Sequence, residues 1–332
     1  MKINRKDLLK LIVSIGITAF VVYYVRSQIN WATIAEALQQ FNYWWILLSI
    51  SLSILSHYLR AYRWTLLLNT SGYKPGVFTT YLAIMVCYLG NMIIPRLGEV
   101  ARCTVLKDHY DIPISFSFGT VITDRLMDLL MLMLLALMLI ILQFELLGDY
   151  FKEFITDKIP IISNNWPYLL IIVVIGLFTL IYLFKKSTKD DGVIGKARNF
   201  IKDLVTGVLA ITMVKKQFQF WASTFVIWGL YFLMLYVISF GFGPTDDMSL
   251  VAGLAVLVMG SLGMATPVNN GIGAYQAFVA SILVLYGIAY EDGIIFAVLS
   301  HGSQLFSVII IGLVSVLILN FKKKTKIREA NQ

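Results

Sequence analysis

The stretch CYLGNMIIPRLGEVARC, residues 87–103, decides how this chain folds. It begins as apolar sequence of the kind that crosses a membrane, and a helix-breaking proline, Pro95, then precedes the charged residues Arg96, Glu99 and Arg102. Proline interrupts helical hydrogen bonding, and charged side chains are costly inside a bilayer. The stretch therefore predicts a break in a membrane helix, with polar groups gathered at the break.

The composition is that of a polytopic, all-α membrane protein. Of the 332 residues, 58% are hydrophobic and 14% are charged, and the mean hydropathy is +0.79. A membrane-spanning helix needs about 20 apolar residues, and the long apolar runs lack the alternation of a membrane β-barrel. Six runs are long enough to cross a bilayer: residues 8–25, 43–62, 116–142, 166–184, 218–240 and 294–319.

The distribution of lysine and arginine predicts the orientation. Both terminal tails and the segment 185–216 are rich in Lys and Arg, which predicts that they lie in the cytoplasm. The acidic or Lys/Arg-poor segments 145–157, 246–247 and 291–292 are predicted to lie outside. The run 8–25 lacks a small-residue cleavage site after it, so we expect a retained first helix. The sequence predicts a multi-pass protein of the inner (cytoplasmic) membrane.

Two further apolar runs, residues 77–106 and 250–287, are interrupted by proline and glycine. With the orientation above, the first begins and ends inside, and the second begins and ends outside. Each run is therefore a re-entrant hairpin or a pair of full spans. The charges that follow Pro95 argue against a second full span, and irregular backbone at membrane depth is tolerated where it is buried in protein or lines a wet cavity.

The two interrupted runs also indicate an internal repeat. Pro95 and Pro267 are 172 residues apart, and each half reads helix, helix, hairpin, helix. The hairpins are predicted to enter from opposite faces, which makes the repeat an inverted one, as in many transporters. We expect one integral membrane domain over the whole chain, with halves at about 8–143 and 166–320 and a cytoplasmic amphipathic linker at 185–217.

Ionisable residues within membrane segments are functional candidates. At the first break, Glu99 and Arg102 are three apart and share a helix face. They form a self-neutralising pair or part of a substrate or ion site, and the two interpretations are compatible. Asn91 and Arg96 join them as candidates, and Pro95 and Gly98 are expected to shape the turn.

The sequence TDRLMD in the fourth helix adds Asp124, Arg125 and Asp128. The two aspartates are four apart on one helix face, at a depth near the middle of the bilayer. Such charges need partners, and Arg96, Arg102 and Arg125 are the candidate partners. The aspartates are either an interhelical ion pair or part of a substrate site.

A third group lies near the inner end of the second helix, where His57 and Arg60 are three apart and Arg63 follows. Snorkelling of the two arginines to the cytoplasmic surface is the favoured interpretation. Contact with the phosphate of a lipid headgroup is the alternative.

The polar candidates of the second half are neutral. TPVNNGIGAYQ, residues 266–276, resembles the first break in having proline and glycine within apolar sequence. Its amides coordinate a headgroup or satisfy the broken backbone, and its glycines permit unusual backbone angles. The candidates are Asn269, Asn270, Gln276 and His301 for binding, and Pro267, Gly271 and Gly273 for structure.

Several functional classes are not supported. The chain has no nucleotide-binding loop, zinc pattern or nucleophile elbow, so we expect no cofactor, no metal and no enzymatic activity. The net charge of +8 comes from helix ends and does not indicate nucleic acid. A catalytic pair of Asp124 and Asp128 is disfavoured because no metal motif or nucleophile accompanies it.

NMIIPRLGEVAR, TVITDRLMDLL and PVNNGIGAYQAFVASILVLYGI, taken together, resemble the transmembrane-region family of lysylphosphatidylglycerol synthases over about residues 8–320. The resemblance implies a flippase-like domain that moves or accommodates phospholipids. Asn270-Gly271 replaces a Gly-Gly, and Gln276 replaces a Glu, so an acidic role in the second half is not expected. After residue 319 only a short basic tail remains, too short for a synthase domain. The family-motif residues are Asn91, Pro95, Arg96, Gly98, Glu99, Arg102, Asp124, Arg125, Asp128, Gly271 and Gly273.

Three functions remain. The leading hypothesis is a translocase for a phospholipid, a polyprenyl-linked lipid or another anionic lipid. The second is an ion-coupled secondary transporter of a small anionic solute. The third is a membrane enzyme, or an accessory subunit of one, that acts on lipid-linked substrates. The sequence leaves open a homo-oligomer or a partner enzyme.

Overall fold

The computed structural model describes residues 39, 41–93, 96–144, 193–266 and 268–330, and every regular element within these ranges is helical. The all-α prediction is thereby confirmed for the described residues. The predicted runs 8–25 and 166–184, the segment 145–157, and the prolines Pro95 and Pro267 lie outside the described residues.

The long helices follow the predicted apolar runs, and each interrupted run forms two helices. Short 3-10 turns occur at Asn69–Ser71, Gly243–Thr245 and Asn269–Gly271. The helices are α1 (Trp44–Leu68), α2 (Val77–Ile93), α3 (Leu97–Tyr110), α4 (Ile114–Leu142), α5 (Val193–Val208), α6 (Ala210–Met213), α7 (Gln217–Ser239), α8 (Leu250–Ala265), α9 (Ala274–Val284) and α10 (Tyr290–Ala330).

In the part of the chain that the structure describes, three helices are long and apolar enough to cross a membrane. They are α4, α7 and the segment Tyr290–Lys322 of α10. Helix α1 has 25 residues but is not among them, because serines, a histidine and two arginines lower its hydropathy. The fold is that of a multi-pass helical membrane protein.

Helices α2 and α3 pack against each other as an antiparallel pair. At one end, Gly98 lies so close to α2 that a Cβ on it would be 1.8 Å from the carbonyl oxygen of Cys87. At the other end, the backbone N–H of Gly76, just before α2, donates to the hydroxyl of Tyr110, the last residue of α3, at 2.9 Å. Contacts at both ends fix the pair side by side.

Helices α8 and α9 form the second closely packed pair. A Cβ on Gly263 would lie 2.8 Å from the Cα of Tyr275. The connection between the helices has positive φ at Asn270 (49°), Gly271 (66°) and Gly273 (86°). Glycine, and to a lesser extent asparagine, adopts this backbone region at low cost, which explains the NNGIG sequence of the connection.

The buried apolar residues that the structure describes form two separate cores. The first core lies around α8 and α9 and includes Phe41, before α1, and Leu139, near the end of α4. The second lies around α2 and α3 and includes Phe116, near the start of α4, and Leu319, far along α10. The two helix pairs therefore lie at opposite ends of the long helices, and the region between the cores holds the polar residues.

Candidate functional site

Two arginines of α1 and two aspartates of α4 form a buried ionic cluster. Nη2 of Arg60 lies 2.9 Å from Oδ2 of Asp124 and also bonds Oδ2 of Asp128. Nη2 of Arg63 lies 2.5 Å from Oδ1 of Asp124 and 2.8 Å from Oδ1 of Asp128. Each guanidinium therefore bridges both carboxylates, and each carboxylate receives both arginines.

Helical spacing creates the cluster. The arginines are three apart on α1 and the aspartates four apart on α4, so each pair projects from one face of its helix. Arg60, Arg63 and Asp124 are almost completely buried, and the side chain of Asp128 is 17% exposed. Burial of charge is tolerated because every charged group is paired and hydrogen-bonded.

Helix α7 supplies two further acceptors for the cluster. Nη1 of Arg60 donates to the hydroxyl of Tyr231 at 3.0 Å, and Nη1 of Arg63 approaches the hydroxyl of Thr224 at 3.4 Å. The cluster thereby joins α1 and α4, from the first half of the chain, to α7 from the second.

Arg102 of α3 lies at the edge of this cluster. Its Nη1 is 3.7 Å from Oδ2 of Asp124, and its guanidinium carbon is 4.6 Å from the centroid of the Trp64 ring. The side chain is buried, and its Nε and Nη2 have no hydrogen-bond partner among the described residues. Arg102 is therefore held by a ring face and a long ion pair, and two of its three guanidinium nitrogens donate to none of the residues that the structure describes.

The structure corrects the prediction for Arg60 and Arg63. Snorkelling to the surface is wrong, because both are buried against the aspartates. The partners proposed for the aspartates are also corrected. Arg102 makes one long contact, and neither Arg96 nor Arg125 forms an ion pair with Asp124 or Asp128 in the described part of the chain.

A second ion pair joins α3 and α4. Nη2 of Arg125 lies 2.8 Å from Oε1 of Glu99. Asn91 of α2 accepts a hydrogen bond from the backbone N–H of Gly98 at 2.8 Å, and its Nδ2 donates to Oε1 of Glu99 at 3.4 Å. The self-neutralising pair of Glu99 with Arg102 is thus not formed, because each has a partner on α4.

Arg96 lies apart from both ion pairs. It caps the start of α3 with φ of 66°, is exposed, and forms no ion pair with a residue that the structure describes. A positive φ at a residue with a side chain costs about 1 kcal/mol or more, so the turn before α3 is locally strained.

In the second half, Gln276 is a helix cap. Its Oε1 accepts a hydrogen bond from the backbone N–H of Gly273 at 2.7 Å, and its Nε2 lies 3.3 Å from Nδ1 of His301. The ring of His301 stacks obliquely on Tyr275, with 4.7 Å between the centroids. The side chain of Asn269 lies outside the described residues.

A cavity of about 490 Å³ lies between the two cores. Its wall is mostly apolar, and among the candidates it includes His57, Arg125, Asp128, Asn270 and His301. Arg60, Glu99, Arg102 and Gln276 are not part of the wall. The wall also contains aromatic residues with polar groups that were not predicted from the sequence, because isolated tyrosines and tryptophans carry no spacing signal. They are Tyr88, Trp228, Tyr231 and Tyr275.

The charge of this region is unbalanced. Four guanidinium groups accompany three carboxylates in the two ion-paired groups of described residues, which leaves one positive charge without a counter-ion. No group of three or more potential metal ligands occurs among the described residues. The region is therefore suited to an anion rather than to a metal cation.

The fold and the buried charges define a multi-pass helical membrane protein with a polar site between its two cores. A family comparison matches residues 9–312 to the family described as Lysylphosphatidylglycerol synthase TM region. The match covers most of the chain, and the protein belongs to this flippase-like family; no synthase domain was detected in this chain. Neither the comparison with curated proteins nor the comparison with solved structures found a match.

Proposed function

We propose that the protein binds a phospholipid or another anionic lipid in the cavity and translocates it between leaflets. The observation that carries this proposal is a mostly apolar cavity between the two cores with Arg125 in its wall. Membership of the flippase-like family supports it. Of the residues predicted from sequence, Arg125 then holds the headgroup, and the buried ionic cluster joins α1 to α4.

The size of the cavity fits a headgroup. Small-molecule sites typically enclose about 300–1,000 Å³, and 490 Å³ lies in that range. Two wall residues, Leu129 and Met264, are also 52% and 44% exposed on the surface of the protein. The wall is therefore continuous with an apolar surface, on which acyl chains stay in the bilayer while the headgroup enters.

The polar groups of the wall fit a phosphate ester. Arg125 supplies a guanidinium, which pairs with phosphate through parallel hydrogen bonds. The tyrosine hydroxyls and the histidines supply neutral hydrogen bonds for the rest of the headgroup. An ordinary phospholipid and a polyprenyl-linked phosphate both fit this chemistry.

We propose that the architecture is an inverted repeat with two re-entrant hairpins, α2–α3 and α8–α9. Their helices have 17, 14, 16 and 11 residues, or about 25 Å or less, which is shorter than the roughly 30 Å hydrocarbon core. The packing is also reciprocal: α2 packs on α10 and α8 on α4, while α3 packs on α4 and α9 on α10.

The orientation is proposed from the basic residues. Nζ of Lys322, near the end of the α10 membrane span, lies 5.1 Å from the ring centroid of Phe78 at the start of α2. The open end of the α2–α3 hairpin thus lies beside a basic segment, which the positive-inside rule assigns to the cytoplasm. We propose an inner-membrane protein with both termini in the cytoplasm.

Translocation in proteoliposomes tests the function. Short-chain fluorescent phosphatidylglycerol and phosphatidylcholine are incorporated, and an impermeant quencher reports their exchange between leaflets. Wild type should accelerate exchange, and Arg125→Gln should lose most of the acceleration. Asp111→Asn, which removes an exposed carboxylate paired with Lys107, is the control and should act as wild type. Folded wild type that leaves exchange at the rate of empty liposomes would refute translocation.

A further inference from the structure

We infer that the carboxylate of Glu99 pairs with the guanidinium of Arg125 while no lipid is bound. When a lipid enters, its phosphate takes the place of Glu99 on that guanidinium. The inference rests on the proposed function and deepens it. It assigns phosphate binding to Arg125 and competition with the phosphate to Glu99. It also defines the substrate class as lipids that carry a phosphate.

Arg125 is the only arginine or lysine among the described residues that line the cavity. Its side chain is 44% exposed, and one of its nitrogens is bonded to Glu99. A guanidinium has five donor hydrogens, so most of this group is still available to a second anion. Asp128, the carboxylate in the same wall, is already bonded to Arg60 and Arg63.

Glu99 is bound less completely than the aspartates. Its Oε1 receives Arg125 at 2.8 Å and Asn91 at 3.4 Å, but its Oε2 is buried without a hydrogen-bond partner in the described part of the chain. A half-satisfied buried carboxylate carries a desolvation cost, whereas Asp124 receives both Arg60 and Arg63. Glu99 is therefore the carboxylate that a competing anion displaces most readily.

Arg102 offers Glu99 an alternative partner. The two residues are three apart on α3 and share a helix face. The Nε and Nη2 of Arg102 are buried and have no hydrogen-bond acceptor among the residues described. Displaced from Arg125, Glu99 turns to Arg102 along its own helix. The carboxylate thus has two discrete positions, one across to α4 and one within α3.

The exchange links binding to a change in packing. While Glu99 bonds Arg125, an ion pair connects α3 of the first hairpin to α4. When phosphate takes Arg125, that connection is lost and the ligand remains on α4. A lipid without phosphate brings no anion and leaves the ion pair in place. The site therefore selects for phosphate and not for the remainder of the headgroup.

Binding in detergent tests the exchange. The full chain is titrated calorimetrically with dihexanoyl phosphatidylglycerol, for wild type, Glu99→Gln, Arg125→Gln and the control Asp111→Asn. Glu99→Gln removes the competitor and should bind about tenfold more tightly, the value of one modest charge-assisted hydrogen bond. Arg125→Gln should bind at least about tenfold more weakly, and the control should equal wild type. Unchanged or weaker binding by folded Glu99→Gln would overturn the inference.

Two further binding measurements test the inference if Glu99→Gln fails to fold or if the lipid binds without its phosphate. If Glu99→Gln does not fold, Glu99→Asp retains the charge but is one methylene shorter, and it should also bind more tightly than wild type. Dihexanoylglycerol, which has no phosphate, should bind wild type and Arg125→Gln alike. Wild type that binds dihexanoylglycerol as tightly as the phosphatidylglycerol, or more tightly, would overturn the inference.

Glycerol phosphate distinguishes this inference from the proposed function. Binding of glycerol phosphate as tight as that of the lipid, with the same response to Glu99→Gln, would retain the exchange and refute the lipid substrate. If translocation depends on Arg125 but lipid binding is unchanged by Glu99→Gln, the proposed function is retained and the exchange is refuted.

Discussion

Nη2 of Arg63 lies 2.5 Å from Oδ1 of Asp124, and neither side chain has any surface exposed to solvent. The pair joins α1 to α4 inside the protein. Because Arg60 and Asp128 complete a network in which each of the four charged groups has at least two ionic partners, the loss of one member leaves the others buried with unbalanced charge. The network is therefore a structural element as well as a candidate site.

We expect Asp124→Asn to destabilise the protein strongly. The substitution leaves two buried guanidinium groups with one carboxylate, and breaking a buried ion pair on one side costs about 3–5 kcal/mol. Unfolding in detergent, followed by tryptophan fluorescence, measures the change. Asp111→Asn makes the same chemical change at an exposed pair and should stay within about 0.5 kcal/mol of wild type. Equal stability of the two variants would contradict the role of the network.

Asp128→Asn should cost less than Asp124→Asn. Asp128 retains 17% exposure at the cavity, so part of the charge imbalance is screened, and Asp124 still pairs with both arginines. We expect roughly half the loss in the free energy of unfolding, measured in the same way. A larger loss for Asp128→Asn than for Asp124→Asn would mean that Asp128, at the cavity, contributes more to the stability of the cluster than the buried Asp124.

The sequence predicted the helices more completely than the side-chain contacts between them. The length of the apolar runs located the long helices among the described residues and both interruptions, and the spacing of Asp124 and Asp128 correctly put them on one face. The partners Arg60 and Arg63 lie 61 to 68 residues earlier in the chain. Which face of α1 meets which face of α4 depends on packing of the whole bundle, and a position near a helix end is equally compatible with snorkelling.

The residues that line the cavity were also predicted only in part. Its candidate residues with charge or an imidazole were accessible to sequence analysis because such groups are rare in membrane helices. Its tyrosines were not, because Tyr88 and Tyr231 are apolar enough to belong to any membrane helix. The hairpins and the inverted repeat remain predictions that the packing of α2–α3 and α8–α9 supports.

Gly98→Ala should disrupt the packing of α2 and α3. A Cβ there would lie 1.8 Å from the carbonyl oxygen of Cys87, and a backbone atom moves only if the helix moves. Overpacking of this kind costs about 1–3 kcal/mol or more. Gly302→Ala is the matched control, because open space surrounds Gly302 within α10, and it should be neutral or stabilising by up to about 1 kcal/mol. Thermal unfolding that ranks the two variants in reverse would contradict the close approach.

Gln276→Leu should weaken the connection before α9. It removes the acceptor for the backbone N–H of Gly273 and the contact with His301, and a lost buried acceptor costs about 1–3 kcal/mol. Gln276→Glu keeps the acceptor for Gly273 and should recover most of that loss. Both variants are compared by thermal unfolding and by binding of dihexanoyl phosphatidylglycerol. Loss of binding with full stability would instead indicate direct contact with the lipid.

Cysteine labelling should place the two hairpin openings on opposite sides of the membrane. The native Cys87 and Cys103 are buried, so folded wild type should resist a membrane-impermeant maleimide and serve as the blank. Asp111→Cys and Lys322→Cys, at exposed positions beside the α2–α3 hairpin, should be labelled only from the cytoplasmic side.

Asp246→Cys, exposed before α8, should be labelled only from the opposite side. Because Tyr110 bonds Gly76, the residue after α3 must emerge where α2 begins. External labelling of Asp111→Cys together with cytoplasmic labelling of Lys322→Cys would separate two segments that the α2–α3 core places together, and would refute the re-entrant hairpin.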